Sequence, residues 1–401
     1  MTFAVFFQGS LAFMLMIASG HLRCHADETG VIRGDGSDGK TTTDVVNANK
    51  PADRHGAEHG SVGVIKPRFS DSGTGSSVLD FDHGLNKLDG RVGATPEMRV
   101  AWRRGAIGKI TLRVIDDAGN PVPKADVKGG FYVGDDKGVA FETSTDARGY
   151  AAIEGRCASD MNCRIDKQGF YRTRFVYRFS KPGYDCVKEG RWLPWNPMFE
   201  VVLKRRVNPV AMYVRPNRKG LTPLVPPCSD QYIGFDLEKG DWVRPHGDGI
   251  HHDIYLRYEY KAGSKQSLYY RAAVHFMFTN KHDGAYAMTK DSSSAFQSDY
   301  HADTNAVYSK EMAYIYDRLT GVVRESSKFP ESGYLVLRVR SKTDRAGNLI
   351  SAHYAKMYGP IAAGAGGIYM GYYFNHNEND PNLEADTTRN LLNPVDLGFD
   401  P

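Results

Sequence analysis

Three observations predict an all-β fold, two antiparallel β-sandwiches behind an N-terminal spacer. Short runs that alternate apolar and polar residues recur from Ile110 to Phe374, which is the period of a half-buried strand. Clusters of Gly, Pro, Asn and Asp separate these runs, and short strands between turn signals argue for sandwiches rather than a parallel α/β sheet. Aromatic residues make up 11% of the chain, with 23 tyrosines, and aromatics favour strands over helices. With 401 residues, 41% of them hydrophobic, the chain can build more than one core.

The first 26 residues read as an export signal. Phe3–Phe7 and Leu11–Ala18 form an apolar stretch too short and interrupted for a membrane span, and small residues around Ala26 place cleavage after it. No Lys or Arg precedes the apolar stretch, a departure from the usual signal pattern. Arg23 directly before Cys24 argues against lipid attachment. No later segment reaches the ~20 apolar residues of a spanning helix, so the expected location is secreted, periplasmic or cell-surface, without a transmembrane span after cleavage. Residues 27–95 are rich in Gly, Ser, Asp and Thr and poor in large apolar side chains. Such a segment cannot offset its ordering entropy and reads as a flexible spacer, with a short ordered piece at Val78–Phe81.

Residues 96–206 read as the first sandwich. Strands are expected at Ile110–Ile115, Ala125–Val133, Val139–Thr145, Ala151–Glu154, Tyr171–Phe179 and Phe199–Lys204. Asp117-Ala-Gly-Asn-Pro supplies turn residues after the first of them. Residues 207–230 carry several prolines and read as an extended linker. A second sandwich is expected over 231–394, from alternating runs at Ile254–Tyr260, Leu268–Thr279, Tyr334–Arg340 and Ile368–Phe374, with a short helix around Ser309–Arg318 and a tail at 395–401.

Within the first unit, Val114-Ile-Asp-Asp-Ala-Gly-Asn-Pro-Val-Pro-Lys-Ala-Asp-Val, then Thr145-Asp-Ala-Arg-Gly-Tyr, then Lys167-Gln-Gly-Phe-Tyr resemble the carboxypeptidase regulatory-like domain. The resemblance covers about a quarter of the chain. It implies a prealbumin-like, Ig-like sandwich that serves as a non-catalytic accessory module and brings no catalytic residue. A long insert with Cys157 and Cys163 and the loop from Cys186 to Asn196 depart from that pattern. Phe235–Val243 and Asn377–Asp386 resemble segments of an uncharacterised family of exported bacterial proteins, a likeness that implies no activity.

The formal charge of +4 is mild, and the basic residues are spread out rather than gathered, which excludes a nucleic-acid partner. Lys204-Arg205-Arg206, the densest basic cluster, reads as a cationic guard on a strand end. An even set of cysteines after signal cleavage, Cys157, Cys163, Cys186 and Cys228, reads as disulfide-forming in an exported chain, with the pairing open.

Two constellations are candidates for function. Trp192 and Trp195, in a Pro/Gly-rich loop, and Trp242 are the aromatics expected to contact a ligand such as a sugar ring. His246-Gly-Asp-Gly-Ile-His-His-Asp gathers three histidines and two aspartates at the mouth of a strand. His246, His251 and Asp253 are the candidate metal ligands, with His251 and Asp253 on one strand face and His252 on the other. Tyrosine and histidine ligands for iron are a further candidate, since intradiol dioxygenases also use a prealbumin-like sandwich. No pattern names a cofactor. The leading expectation is a secreted or envelope-associated, non-catalytic protein that binds a polysaccharide or a protein partner. A metal-dependent hydrolase or oxygenase centred on the His246–His252 loop, and a structural assembly protein, are the alternatives.

Overall fold

The computed structural model describes residues 94–401, apart from 134–137, 181–185, 217–221, 264–268, 292, 320–321, 328, 330–332 and 360. The stretches expected as an export signal and a spacer, up to residue 93 and including Val78–Phe81, lie outside the described residues.

The described chain opens with a helix that the strand pattern did not announce, α1 (Pro96–Arg104). Thr95 caps it, its Oγ1 accepting from Met98 N at 3.3 Å, and Pro96 occupies the first turn where its missing N–H costs nothing. Met98, Ala101 and Trp102 fall on one face and join the core of the first sandwich. Trp102 Nε1 donates to Ser180 Oγ at 2.8 Å.

That sandwich comprises β1 (Ala106–Asp116), β2 (Asp126–Tyr132), β3 (Gly138–Ser144), β4 (Tyr150–Cys157), β5 (Asp160–Asp166), β6 (Thr173–Arg178), β7 (Val187–Lys188), β8 (Arg191–Trp192) and β9 (Met198–Leu203). One sheet orders β4-β1-β8-β7, with β9 also on β1; the other orders β3-β2-β5-β6. Ile110, Leu112 and Val114 alternate into the core as expected. Pairing is antiparallel except that β8 and β9 run parallel to β1. The chain reaches β9 from β6 in the opposite sheet through the long 179–197 connection, so no hairpin dictates its direction. The segment expected as an insert is β5, a central strand. Met161, Cys163 and Ile165 point into the core and Asn162 and Arg164 out.

Three turns share one device. Asp116, Asp146 and Asp344 each accept two main-chain N–H groups, two and four residues on. Each turn then places a glycine, Gly119, Gly149 or Gly347, at φ near +80°. A carboxylate that stands in for a backbone acceptor, followed by a residue free of Cβ strain, explains the Asp-x-x-Gly spacing.

The second sandwich begins inside the stretch expected as a linker. β10 (Val210–Arg215) lies inside its sheet, one strand in from the edge, because Met212 and Val214 supply apolar residues between the flanking prolines. It continues with β11 (Tyr232–Asp236), β12 (Asp241–Trp242), β13 (Ile254–Ala262), β14 (Tyr270–Met277), β15 (Gly284–Thr289), β16 (Glu311–Leu319) and β17 (Val322–Ser327). Then come β18 (Gly333–Thr343), β19 (Leu349–Tyr358), β20 (Ala362–Gly364), β21 (Gly367–Tyr369), β22 (Tyr372–Asn375) and β23 (Ala385–Asn390). One sheet orders β15-β18-β19-β22-β10-β23 and the other β12-β11-β13-β14-β16-β17, while β20 and β21 pair alone. All these pairs are antiparallel except β10 with β23. β16 occupies the stretch expected as a helix. Its full ladder with β14, from Met277↔Glu311 to Tyr270↔Arg318, decides an ambiguous Tyr-rich pattern in favour of strand.

β18 is buried on both faces. Leu335, Leu337 and Val339 enter the core between the two sheets, and Tyr334 and Val336 enter a second core on the outer side. That is why the run Tyr334–Val339 reads as nearly continuous apolar sequence. Burying each large aliphatic side chain is worth roughly 1.5–3 kcal/mol. Among the described residues no helix is long and apolar enough to cross a membrane.

Candidate functional site

The histidine loop is shaped by its carboxylates and glycines. Asp236, at the end of β11, accepts from Ile250 N and His251 N, both at 2.9 Å, and from Glu238 N and Lys239 N. Burial works against its charge, but these donors outweigh it and hold the carboxyl below the usual range. A Cβ on Gly247 or Gly249 would meet Trp242 O at 2.5 or 2.8 Å, so the glycines allow the close return of the loop.

Asp253 does not join the histidines. Its carboxylate takes Arg340 Nε at 2.8 Å and Arg340 Nη2 at 2.9 Å, and also Leu237 N at 2.9 Å. Burial pushes the Asp253 carboxyl up and the Arg340 guanidinium pulls it back. Arg340 Nη1 reaches Glu238 at 2.7 Å, and its guanidinium lies 4.8 Å from the Phe374 ring. A bulge between Val339 and Lys342 turns this arginine inward at φ 55°, with Asp283 binding the N–H groups of Arg340 and Ser341. The position a cation would take beside Asp236, Glu238 and Asp253 is filled by a guanidinium.

His246, His251 and His252 are exposed. His252 stacks on Tyr255 at 5.1 Å and crosses Gly234, where a Cβ would meet its Nδ1 at 2.1 Å, instead of pointing inward with Ile254 and Leu256. Among the described residues, no three His, Cys, Asp or Glu side chains gather into a metal-binding group.

The three tryptophans divide. Trp192 is fully buried, with Nε1 donating to Cys157 O at 2.7 Å, and Trp242 is buried with Nε1 on Val225 O at 3.0 Å. Both are core side chains whose polar tip is satisfied internally, which corrects their expected role as ligand contacts. Trp195 is 37% exposed, with Arg191 at 4.9 Å and Lys109 at 5.8 Å from its ring.

The structure joins none of Cys157, Cys163, Cys186 and Cys228 to one another, which corrects the expected disulfides. Cys157 Sγ donates to Asp160 O at 2.9 Å and Cys186 Sγ to Met98 Sδ at 3.7 Å. Burial pushes both the Cys157 and Cys163 thiols up to about 12, so they serve as small apolar core groups.

The richest polar arrangement lies where the two sandwiches meet. The 293–295 segment adds to the edge of β6, with Arg174 N donating to Ser293 O at 2.7 Å and Ala295 N to Arg172 O at 2.8 Å. Glu384 is buried and accepts from Tyr171 OH at 2.8 Å, Val207 N at 2.9 Å and Asn208 N at 2.6 Å. Tyr300 OH lies 2.8 Å from Asp117 Oδ2 and 2.7 Å from Arg205 O. Lys204 Nζ and Lys356 Nζ donate to the carbonyl and the hydroxyl of Ser298, each at 3.0 Å.

A cavity of about 390 Å³ opens along this seam, walled by both sandwiches and by the C-terminal segment Gly398–Pro401. Its lining carries the cations Lys167, Arg172, Arg174 and Arg206 and the acids Asp126, Asp166 and Asp400. Arg172 is bound to Asp166 at 2.7 Å, and Lys167 Nζ to Lys124 O at 3.1 Å. The guanidinium of Arg206 lies 5.1 Å from the Tyr171 ring.

Sequence patterns missed Arg340, Lys356, Tyr171 and Glu384. An ionisable residue at an inward position of an apolar strand run, such as Lys356 in Ala352–Tyr358, is the one signal that could have flagged them. Lys204-Arg205-Arg206, expected as a strand guard, does end β9, but it also supplies seam contacts.

No family model matches the chain, and no curated protein matches it. Solved structures similar to parts of it include 3-chlorocatechol 1,2-dioxygenase from Rhodococcus opacus 1CP, at 10% identity over 26% of this chain and 62% of that one, with a TM-score of 0.22. The major pilin subunit BcpA of Bacillus cereus is 14% identical over 70% of this chain and 100% of that one, at 0.19. A DUF3823 family protein from Parabacteroides merdae is 7% identical over 70% and 100%, at 0.17. The chain spans less than two thirds of the dioxygenase, and at these scores none of the three likenesses bears on its activity.

Proposed function

We propose that this chain is a non-catalytic β-sandwich protein, exported to the cell surface or beyond, that holds a polysaccharide or protein partner. The seam cavity carries this reading: it is concave, walled by both sandwiches, and set with charged and amide side chains that suit a polar ligand. The first sandwich, with its paired Asp-x-x-Gly turns, suits the accessory role that its resemblance to the regulatory-like module implies. The metal-dependent alternative loses its carboxylate to Arg340.

Co-sedimentation of the chain from Asp27 onward with insoluble polysaccharides and cell-envelope preparations tests the proposal. Retention is expected, and loss of retention from every preparation would retire it. Dialysis against a chelator should leave the melting temperature within about 1 °C; a drop of several degrees would reopen the metal reading.

A further inference from the structure

We infer that the seam cavity is a site for a carboxylate-bearing saccharide, recognised by Arg174 and Arg206. This inference rests on the reading of the chain as a binding protein and names its ligand. Of the four cations on the wall, Arg172 is held by Asp166 and Lys167 by a backbone carbonyl. Arg174 and Arg206 line the cavity and have no acidic partner among the described residues. The main chain of Arg174 is bonded to Ser293, and that of Arg206 to Gly169 O at 2.9 Å, while the Arg206 guanidinium rests on Tyr171. Two planar guanidinium groups on one cavity wall, neither paired with an acid among the described residues, are the groups that carboxylates bind best.

The remaining wall decides the class of ligand. Gln168 and Gln297 offer groups that both donate and accept, as ring hydroxyls require, and the Ser293 hydroxyl, which donates to Asp291, can still accept. Asp126 and Asp400 add acceptors for further hydroxyls and would repel a ligand of continuous negative charge. A saccharide with spaced carboxylates satisfies both halves of this wall, whereas a run of acidic peptide side chains meets the aspartates. The volume, about 390 Å³, lies toward the small end for ligand clefts and suits a short stretch of sugar.

The test is calorimetric titration of the chain from Asp27 onward with oligogalacturonate, its methyl-esterified form and polyglutamate. Oligogalacturonate should bind, the ester at least tenfold more weakly, and added salt should weaken the acid form selectively. Arg174→Gln with Arg206→Gln should lower affinity at least tenfold at an unchanged melting temperature. Since both side chains are exposed, that variant is expected to fold. Equal binding of acid and ester would overturn the carboxylate while leaving the binding function standing. Tighter binding of polyglutamate would overturn the saccharide, and full affinity in the double variant would overturn the site. If no polymer binds here or co-sediments, the parent reading fails as well.

Discussion

Lys356 is the residue with the most unusual surroundings. Its Nζ is fully buried, 4.6 Å from the Phe296 ring and 4.9 Å from those of Tyr358 and Tyr373, with hydrogen bonds to Ser298 Oγ and Tyr358 OH at 3.0 Å. Burial, reinforced by Lys204, drives its pKa well below the ordinary lysine value. Between that lowered value and about 10.4 the unfolded chain binds one more proton than the folded one, so this residue makes stability rise with pH across that window. Lys356→Met should remove the slope and raise stability at neutral pH by about 1 kcal/mol, because an apolar side chain of similar length avoids the desolvation of an amine. Urea titrations at several pH values would read both effects, and an unchanged slope would refute the assignment. At the same scale Trp192→Ala should cost about 3–5 kcal/mol through the cavity it leaves, and Trp195→Ala less than about 1. Comparable losses in chemical denaturation would contradict their placement.

Among elements, the Asp-x-x-Gly turns separate two glycine effects. Gly119 and Gly149 share a φ near +80°, yet a Cβ at Gly119 meets nothing within 4 Å while one at Gly149 would lie 2.4 Å from Val114 O. Gly119→Ala should therefore cost about 1 kcal/mol from backbone strain alone, and Gly149→Ala at least twice that. Equal losses would show that the backbone around Gly149 relaxes freely. Those turns were legible because their chemistry is local: a carboxylate reaches its own backbone whatever packs around it. β5 and β16 were not legible. Their polar or Tyr-rich runs suit more than one conformation, and neighbouring strands make the choice. The same holds for β10, whose flanking prolines suggest a connector until β22 and β23 pair with it.

For the whole molecule, Glu384 is the tie between the sandwiches. Its carboxylate accepts from the Tyr171 hydroxyl in one and from two main-chain N–H groups of the connecting segment. Glu384→Ala leaves the buried Tyr171 hydroxyl and two partly buried main-chain donors without their acceptor and should cost about 2 kcal/mol or more, whereas Tyr171→Phe should cost about 1. A calorimetric scan of the alanine variant should show two transitions where the parent protein shows one; a single unshifted transition would show that the seam holds without it.

The sequence by itself determined the β class, the two-sandwich plan and the Asp-x-x-Gly turns, since alternation and turn chemistry act over a few neighbouring residues. Only the tertiary structure decided what the functional candidates do. Asp253 meets Arg340 across 87 positions of sequence, and Trp192 meets Cys157 across 35. The seam cavity is assembled from segments as far apart as Asp126 and Pro401. Residue type states what a side chain can bind, but long-range packing selects its partner, and no local pattern carries that information.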